Sequence, residues 1–309
     1  MGKMDGKVVV VTGAVSAIPG YDSIGSATVR EALDEGAKGV VVSDINDKLG
    51  TAFVKELNDK YGEGKAIFVH TDVSKAEEVE KLFEVTEETY GVVDAIMANA
   101  GIATAEDVDQ DPDAVLKSRK FIQGINEDGV FYTAMYGARL MIKHKTQGSI
   151  VLVSSIHGVV GRPKIVNYET GDVLIDRFNL LQYTMGKHGL VGLSKAMALQ
   201  LAEYGIRVNT VNPGYIITPL FQAAVIADQD ALADKDTLAT EAFDFNNLAS
   251  LHPLSNDPVA DKDIVPRGKH GGRMGVPVEI AKPTIFLMSD DSSFITGQKV
   301  VVDGGYTAC

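Results

Sequence analysis

The decisive stretch runs from residue 8 to residue 44. It reads Val8-Val9-Val10-Val11-Thr12-Gly13-Ala14, then Gly20 and Ser23-Ile24-Gly25, then an apolar-periodic Ala27 to Leu33, then Val40-Val41-Val42-Ser43-Asp44. A β-branched run, a glycine-bearing turn, a helical period and a second β-branched run make a βαβ unit. Glycines at the strand-to-helix turn let the backbone approach a pyrophosphate, and the helix N-terminus adds amides and partial positive charge. Gly13, Ser23, Ile24 and Gly25 are therefore the expected phosphate cradle. Asp44 ends the second strand, where a carboxylate accepts both ribose hydroxyls of NAD and repels the 2′-phosphate of NADP. Such an Asp also serves as a helix cap, although Asn46 stands ready for that task.

The same rhythm continues through Leu49, Phe53 and Leu57, then Ala66 to Val69, Val79 with Leu82 and Phe83, Ala95 to Met97, and Ile150 to Val153. Strands this uniformly apolar suit a parallel sheet covered on both faces. The expected fold is α/β: a single doubly wound Rossmann-type parallel sheet with helices on both faces. No polar linker or repeat divides residues 1–309, so one domain is expected. Its character changes only at about residues 219–272, first apolar with helical spacing, then rich in Asp, Pro, Lys and Gly. A loop this long inside a compact domain is expected to be a substrate lid.

A formal net charge of −13 argues against nucleic acid or an anionic membrane as partner, since phosphate contacts need clustered Lys and Arg. The single cysteine, Cys309, leaves no internal disulfide. No apolar run reaches the ~18 residues of a membrane helix, and the first residues carry no signal core, so a cytoplasmic protein is expected. The six histidines show no metal-ligand spacing, and no glycine-flanked serine elbow is present. The basic stretch Arg267 to Arg273 reads as a solvated loop or as a contact to a phosphate or acidic group.

Further segments complete a pattern: Asp72-Val73, Ala98-Asn99-Ala100-Gly101, Asn126, Ser154-Ser155, Tyr183-x-x-x-Lys187, Asn212-Pro213-Gly214, and Gly297-Gln298 through Val302-Asp303-Gly304-Gly305. In this order the chain resembles the short-chain dehydrogenase/reductase family, over nearly its whole length outside the lid. The resemblance implies hydride transfer between NAD and a secondary alcohol or ketone. Asp72 and Val73 would flank the adenine, and Asn99 and Gly101 would line the cofactor. Pro213, Gly214, Ile216 and Thr218 would meet the nicotinamide and phosphates. Val73 also reads as core, and Thr218 as a helix cap.

The resemblance makes Tyr183 the acid/base. Four helical residues put Lys187 on its face, where a positive charge favours phenolate. Lys187 would also hold the nicotinamide ribose. Ser155 would orient the substrate oxygen, with Ser154 the structural member of the pair. Asn126 would hold a water that links Lys187 to solvent; its bland alternative is a back-bond to the preceding helical turn.

Two departures from the family pattern stand out. The glycine turn is stretched at residues 15–22, with Ser23 in the usual place of a glycine. Ser155 and Tyr183 lie 28 positions apart, about twice the family spacing, because of an insertion at 162–181. Tyr168 is the rival at the shorter distance, but Asp172 stands where its lysine belongs and would raise a tyrosine pKa. Tyr61 and Lys65 also match the spacing, but with Gly62 and Gly64 between them they form a loop.

A dinucleotide-binding sensor or scaffold without turnover is the alternative, and an epimerase or dehydratase with tightly held cofactor is a third reading. The family resemblance, with the apolar helices around Asn126 to Met141 and Tyr183 to Leu201, implies a homotetramer. The apolar lid, with Leu220, Phe221, Val225, Phe243 and Phe245, points to a bulky substrate such as a hydroxysteroid, terpenoid or aryl alcohol, or else to packing on the domain or a neighbouring subunit.

Overall fold

The computed structural model describes residues 2–18, 20–103, 111–161, 180–219 and 272–308, with the backbone alone of 165–166 and 173–175. The first strand, β1 (Val8–Thr12), is buried at every position and lies inside the sheet. It leads through the glycine turn to α1 (Ile24–Asp34), then to β2 (Gly39–Asp44), α2 (Asp47–Tyr61), β3 (Ala66–His70), α3 (Ala76–Tyr90) and β4 (Ala95–Ala98). Next come α4 (Pro112–Gln123), a π-turn (Gly124–Asp128), α5 (Gly129–His144) and β5 (Ser149–Val153). Two short strands, β6 (Ile165–Val166) and β7 (Val173–Ile175), precede α6 (Leu181–Leu201), β8 (Arg207–Pro213), α7 (Pro277–Met288) and β9 (Lys299–Val302).

The main sheet has the order β3-β2-β1-β4-β5-β8-β9 and is parallel throughout. Val10 pairs with Val41 on one side and Ile96 on the other, so the direction in which successive strands are added to the sheet reverses between β1 and β4. That reversal opens a crevice beyond the carboxyl ends of both strands, the ligand position of open α/β sheets. The doubly wound fold read from the sequence is the one observed.

Although β1 is apolar at four successive positions, its side chains divide with period two. Val9 and Val11 join Val29, Leu33, Phe53, Leu57 and Ile285 on the face covered by α1, α2 and α7. Val10 joins Leu82, Phe83, Val130, Leu190 and Leu201 on the face covered by α3, α5 and α6. The continuous valine run is thus the signature of a strand with two buried faces.

Two elements differ from the expected pattern. The helix read as continuous from Asn126 to Met141 is interrupted at its start by the π-turn, which carries Asn126. The insertion at 162–181 holds an antiparallel β6–β7 pair, Ile165 opposite Ile175, where no strand was expected. The segment from residue 220 to residue 271, which makes up most of the expected lid at about 219–272, and Tyr168 with Asp172, lie outside the described residues. Its two flanks do not: Ile216 forms a parallel bridge with Gly275, Ile217 N donates to the Gly275 carbonyl (2.9 Å), and Gly275 N donates to that of Tyr215 (3.0 Å).

Candidate active site

Every strand end that carries a predicted site residue opens on one edge of the sheet. Gly13 follows β1, Asp44 closes β2, Asp72 follows β3, Asn99 follows β4, Ser155 follows β5 and Pro213 closes β8. Parallel pairing brings these ends side by side, which no single stretch of sequence could do.

At the glycine turn, Gly13 adopts φ +59°, and a Cβ there would lie 2.7 Å from Ala100 Cα. A side chain would therefore be strained by conformation and blocked by packing. A Cβ on Gly25 would strike the Gly13 carbonyl and lie 2.9 Å from Asn99 Nδ2. Asn99 is the clasp of this turn: its Nδ2 donates to the carbonyls of Thr12 (3.0 Å) and Gly13 (2.8 Å), while its own N–H donates to Thr12 Oγ1 (3.1 Å). Ser23 caps α1 reciprocally with Ser26, Ser26 N donating to Ser23 Oγ (3.1 Å) and Ser23 N to Ser26 Oγ (2.9 Å). The remaining first-turn amides of α1 have no intrahelical acceptor and can serve an anion.

The stretched segment 15–22 is tied down at both ends. Val15 N donates to Asp44 Oδ2 (3.0 Å), and Asp22 accepts from Ser26 Oγ (2.8 Å) and Arg30 Nε (3.2 Å). Asp44 Oδ1 accepts from Asn46 N (3.1 Å), while Asn46 itself caps α2 through Leu49 N. Asp44 is therefore not that helix's cap. Burial holds its carboxyl above the usual range, although the backbone donors Val15, Asn46 and Ile45 offset part of that rise.

Asp72 is partly desolvated, which raises its carboxyl, yet the Ser74 and Lys75 donors outweigh this and hold it below its usual range. Its Oδ1 accepts from Ser74 N (3.1 Å) and Ser74 Oγ (2.7 Å), so this carboxylate builds the turn into α3. Val73 is buried in the core face of α3 and α5, and a Cβ on Gly129 would lie 2.7 Å from its side chain.

At the chemical end, Ser155 and Lys187 are buried and Tyr183 half-buried. Burial dominates at the Tyr183 phenol and raises its pKa, while the neighbouring Ser155 side chain lowers it in part. Lys187 Nζ lies 5.4 Å from the centroid of the Tyr183 ring and donates to the Val153 carbonyl (2.8 Å). Burial depresses its pKa to about 8. Ser154 Oγ donates to the Lys187 carbonyl (2.8 Å), locking α6 onto the end of β5, the structural task expected of it. Asn212 Nδ2 donates to the Ser155 carbonyl (2.8 Å) from β8.

Asn126 is fully buried, and its side chain grips Ile102: Oδ1 accepts from Ile102 N (2.8 Å) and Nδ2 donates to Ile102 O (2.7 Å). The back-bond alternative is thereby corrected, because both ends of this amide are used by a distant loop. A Cβ on Gly101 would fall 3.3 Å from Asn126 Oδ1 and 3.5 Å from Lys187 Nζ, so these three residues adjoin. Gly214 N donates to Val302 O (2.9 Å), Ile216 is buried at the bridge to Gly275, and Thr218 is also buried.

Arg273 is not in a solvated loop. It is buried and pairs with Glu279 twice, Nη1 to Oε2 (2.8 Å) and Nη2 to Oε1 (2.7 Å), on the first turn of α7. Arg267 and Lys269 lie outside the described residues. Sequence reasoning also missed His157, whose ring stands beside Tyr183, and Tyr215, whose ring stands beside His157; a lone His and a lone Tyr give no periodic or spacing signal. Tyr61 closes α2, donates to Asp34 (2.7 Å) and lies away from the strand-end edge. Among the described residues no helix is long and apolar enough to cross a membrane.

This geometry agrees with what the chain is similar to. A family model described as short chain dehydrogenase matches residues 7–229, and one described as enoyl-(acyl carrier protein) reductase matches residues 259–307. A 2,5-dichloro-2,5-cyclohexadiene-1,4-diol dehydrogenase of Sphingobium indicum is 33% identical over 310 residues, covering 100% of both chains. An NADP-dependent (R)-specific alcohol dehydrogenase of Lentilactobacillus kefiri is 31% identical, covering 99% of this chain and 98% of that one. The crystal structure of a short-chain type dehydrogenase/reductase from Mycobacterium marinum superposes with a TM-score of 0.75 at 29% identity, covering 99% and 97%. The chain belongs to the short-chain dehydrogenase/reductase family, whose members bind a nicotinamide dinucleotide.

Proposed function

We propose that this protein is an NAD-dependent dehydrogenase that interconverts a secondary alcohol and a ketone. The observation that carries this reading is the group at the end of β5: Ser155 next to the Tyr183 phenol, with the Lys187 ammonium 5.4 Å from the same ring, beside the Gly13 turn. A sensor or scaffold has no need of a phenol, a hydroxyl and an amine gathered this way.

The residues of the crevice fit a dinucleotide. The Gly13 and Gly25 positions admit no side chain, α1 presents capped and free amides, and Asp44 supplies an acceptor at the end of β2. When bound, the nicotinamide ring accepts or supplies the hydride. The Tyr183 oxygen takes the hydroxyl proton of the alcohol as the carbon is oxidised, or returns it to the ketone oxygen on reduction. Ser155 Oγ orients the substrate oxygen. Lys187 stays charged below pH about 8 and favours phenolate over phenol. Asn126 positions the loop from Asn99 to Ile102 against Lys187, and the π-turn gives its backbone a geometry distinct from a regular helix, a frequent feature of functional sites.

For Asp44, NAD is the expected partner, since the carboxylate repels a 2′-phosphate. The substrate we propose is bulky and largely apolar. Support comes from the apolar content of the lid and from its flanks, which meet at Tyr215 to Ile217 and Gly275 next to the chemical end. That closure of the flanks also supports one domain with the lid as an excursion from it. A homotetramer is supported by apolar side chains exposed on α4, α5 and α6, among them Phe121, Phe131, Leu181 and Leu199.

The test is NAD reduction over secondary alcohols graded in size, with NADP in parallel. NADH formation with bulky cyclic alcohols is the expected result. Absence of net NADH with every alcohol would overturn the dehydrogenase reading, and equal use of NADP would overturn the role of Asp44.

A further inference from the structure

Directly after Ser155 the chain makes a 3-10 turn, Ile156–Gly158, and its central residue is a buried histidine that the chemistry above leaves unused. Ser155 Oγ accepts from His157 N (3.1 Å). On the other side of the turn, a Cβ on Gly158 would lie 2.6 Å from the Lys187 carbonyl, so the turn is wedged against α6. Backbone and packing thus leave His157 little freedom.

Its ring stands between two tyrosines. The centroid of His157 is 6.2 Å from that of Tyr183 at 73°, and 6.3 Å from that of Tyr215 at 73°. Tyr215 in turn meets Tyr306 at 5.6 Å and 90°. All three pairs fall in the edge-to-face range that aromatic rings prefer. Tyr306 belongs to the C-terminal turn, which Asp303 fastens by accepting from Gly305 N (2.9 Å), Thr307 N (2.7 Å) and Thr307 Oγ1 (2.7 Å). Four rings therefore run unbroken from the C-terminal turn to the phenol.

We infer that His157 is a positioning residue for Tyr183, and that the C-terminal turn acts on the site through Tyr306 and Tyr215. The Tyr183 ring is flanked by the imidazole edge and the Lys187 ammonium. Without the imidazole the phenol gains room to turn away from Ser155, and water gains access to it. This inference rests on Tyr183 as the acid/base only for its effect on turnover; the packing itself does not depend on that role.

The experiment compares His157→Ala, His157→Phe, Tyr306→Ala and the double variant His157→Ala/Tyr306→Ala. One readout needs no turnover: phenolate absorbance titrated against pH, with Tyr183→Phe as the reference that isolates this tyrosine. The other is kcat and KM with NAD and cyclohexanol, a plain cyclic secondary alcohol, alongside NADH affinity by fluorescence and a thermal midpoint. Burial raises the Tyr183 pKa, so opening the site in His157→Ala should bring its titration to lower pH, and His157→Phe should return it. The kcat of His157→Ala should fall about tenfold with KM little changed, a fraction of what ~1 Å of misplacement costs. Tyr306→Ala should lower kcat less, and should add nothing in the His157→Ala background. An unmoved phenolate titration in His157→Ala, failure of His157→Phe to restore it, or an additive double variant would overturn the inference. If Tyr183→Phe kept wild-type turnover, the acid/base reading would fall instead, and the titration would still decide the packing.

Discussion

The ammonium of Lys187 sits 5.4 Å from the Tyr183 ring centroid while donating to the Val153 carbonyl at 2.8 Å. One helix therefore holds both groups, but the end of β5 fixes the lysine. Burial works against both charges: it raises the phenol and lowers the amine to about 8. The pair is poised for proton exchange at a cost in stability.

That cost is measurable. In the unfolded chain Lys187 keeps its proton up to its ordinary pKa of 10.5, whereas in the fold it loses it near 8. The folded pKa is the lower, so below pH 8 the full penalty applies; it declines between pH 8 and 10.5 and is absent above. The shift amounts to about 3 kcal/mol at most, less ~1 kcal/mol for the hydrogen bond to Val153. Lys187→Met should therefore be inactive yet more stable at pH 7, by about 2 kcal/mol in urea unfolding. The gap between variant and wild type should close by pH 10; a variant less stable at pH 7 would contradict the argument.

Tyr183→Phe should lower turnover by roughly 10²- to 10⁴-fold while leaving NADH affinity intact, as expected when a positioned acid/base is removed. Tyr168→Phe should be far milder. The reverse order in steady-state assays would move the chemistry into the insertion.

Ser155→Ala removes a neighbour that pulls the Tyr183 pKa down. Alcohol oxidation requires the phenolate, so its rate rises with pH through the Tyr183 pKa. The variant's pH–rate profile should therefore be displaced to higher pH, on top of a loss in kcat. An unshifted profile would mean that the serine acts on the substrate oxygen alone.

Asp44→Ala should narrow the preference for NADH over NADPH by about tenfold, the scale of one hydrogen bond to a charged group at ~1.5–3 kcal/mol. Fluorescence titration with both cofactors measures it. Some of the loss will reflect Val15 and Asn46, whose amides use the same carboxylate.

Sequence alone determined the doubly wound fold, because a valine run of this kind is stable only with both faces buried, and a glycine turn between two such runs closes only one way. Its apolar period located the strand ends that carry Gly13, Asp44 and Ser155, and its resemblance to a known family supplied the rest of the candidate set up to Thr218. The tertiary structure decided what each of those residues is occupied with. Asn126 looked like a mid-helix polar residue, and only packing against the loop after β4 turns its amide toward Ile102. Arg273 looked solvated until α7 brought Glu279 to it. His157, Tyr215 and Tyr306 lie far apart along the chain, and the contact that joins their rings to Tyr183 exists because β5, β8 and the segment after β9 run parallel and end at the same edge. Local propensity carries strand and helix over a few residues; a site built from the ends of separate strands is written only in the pairing of those strands.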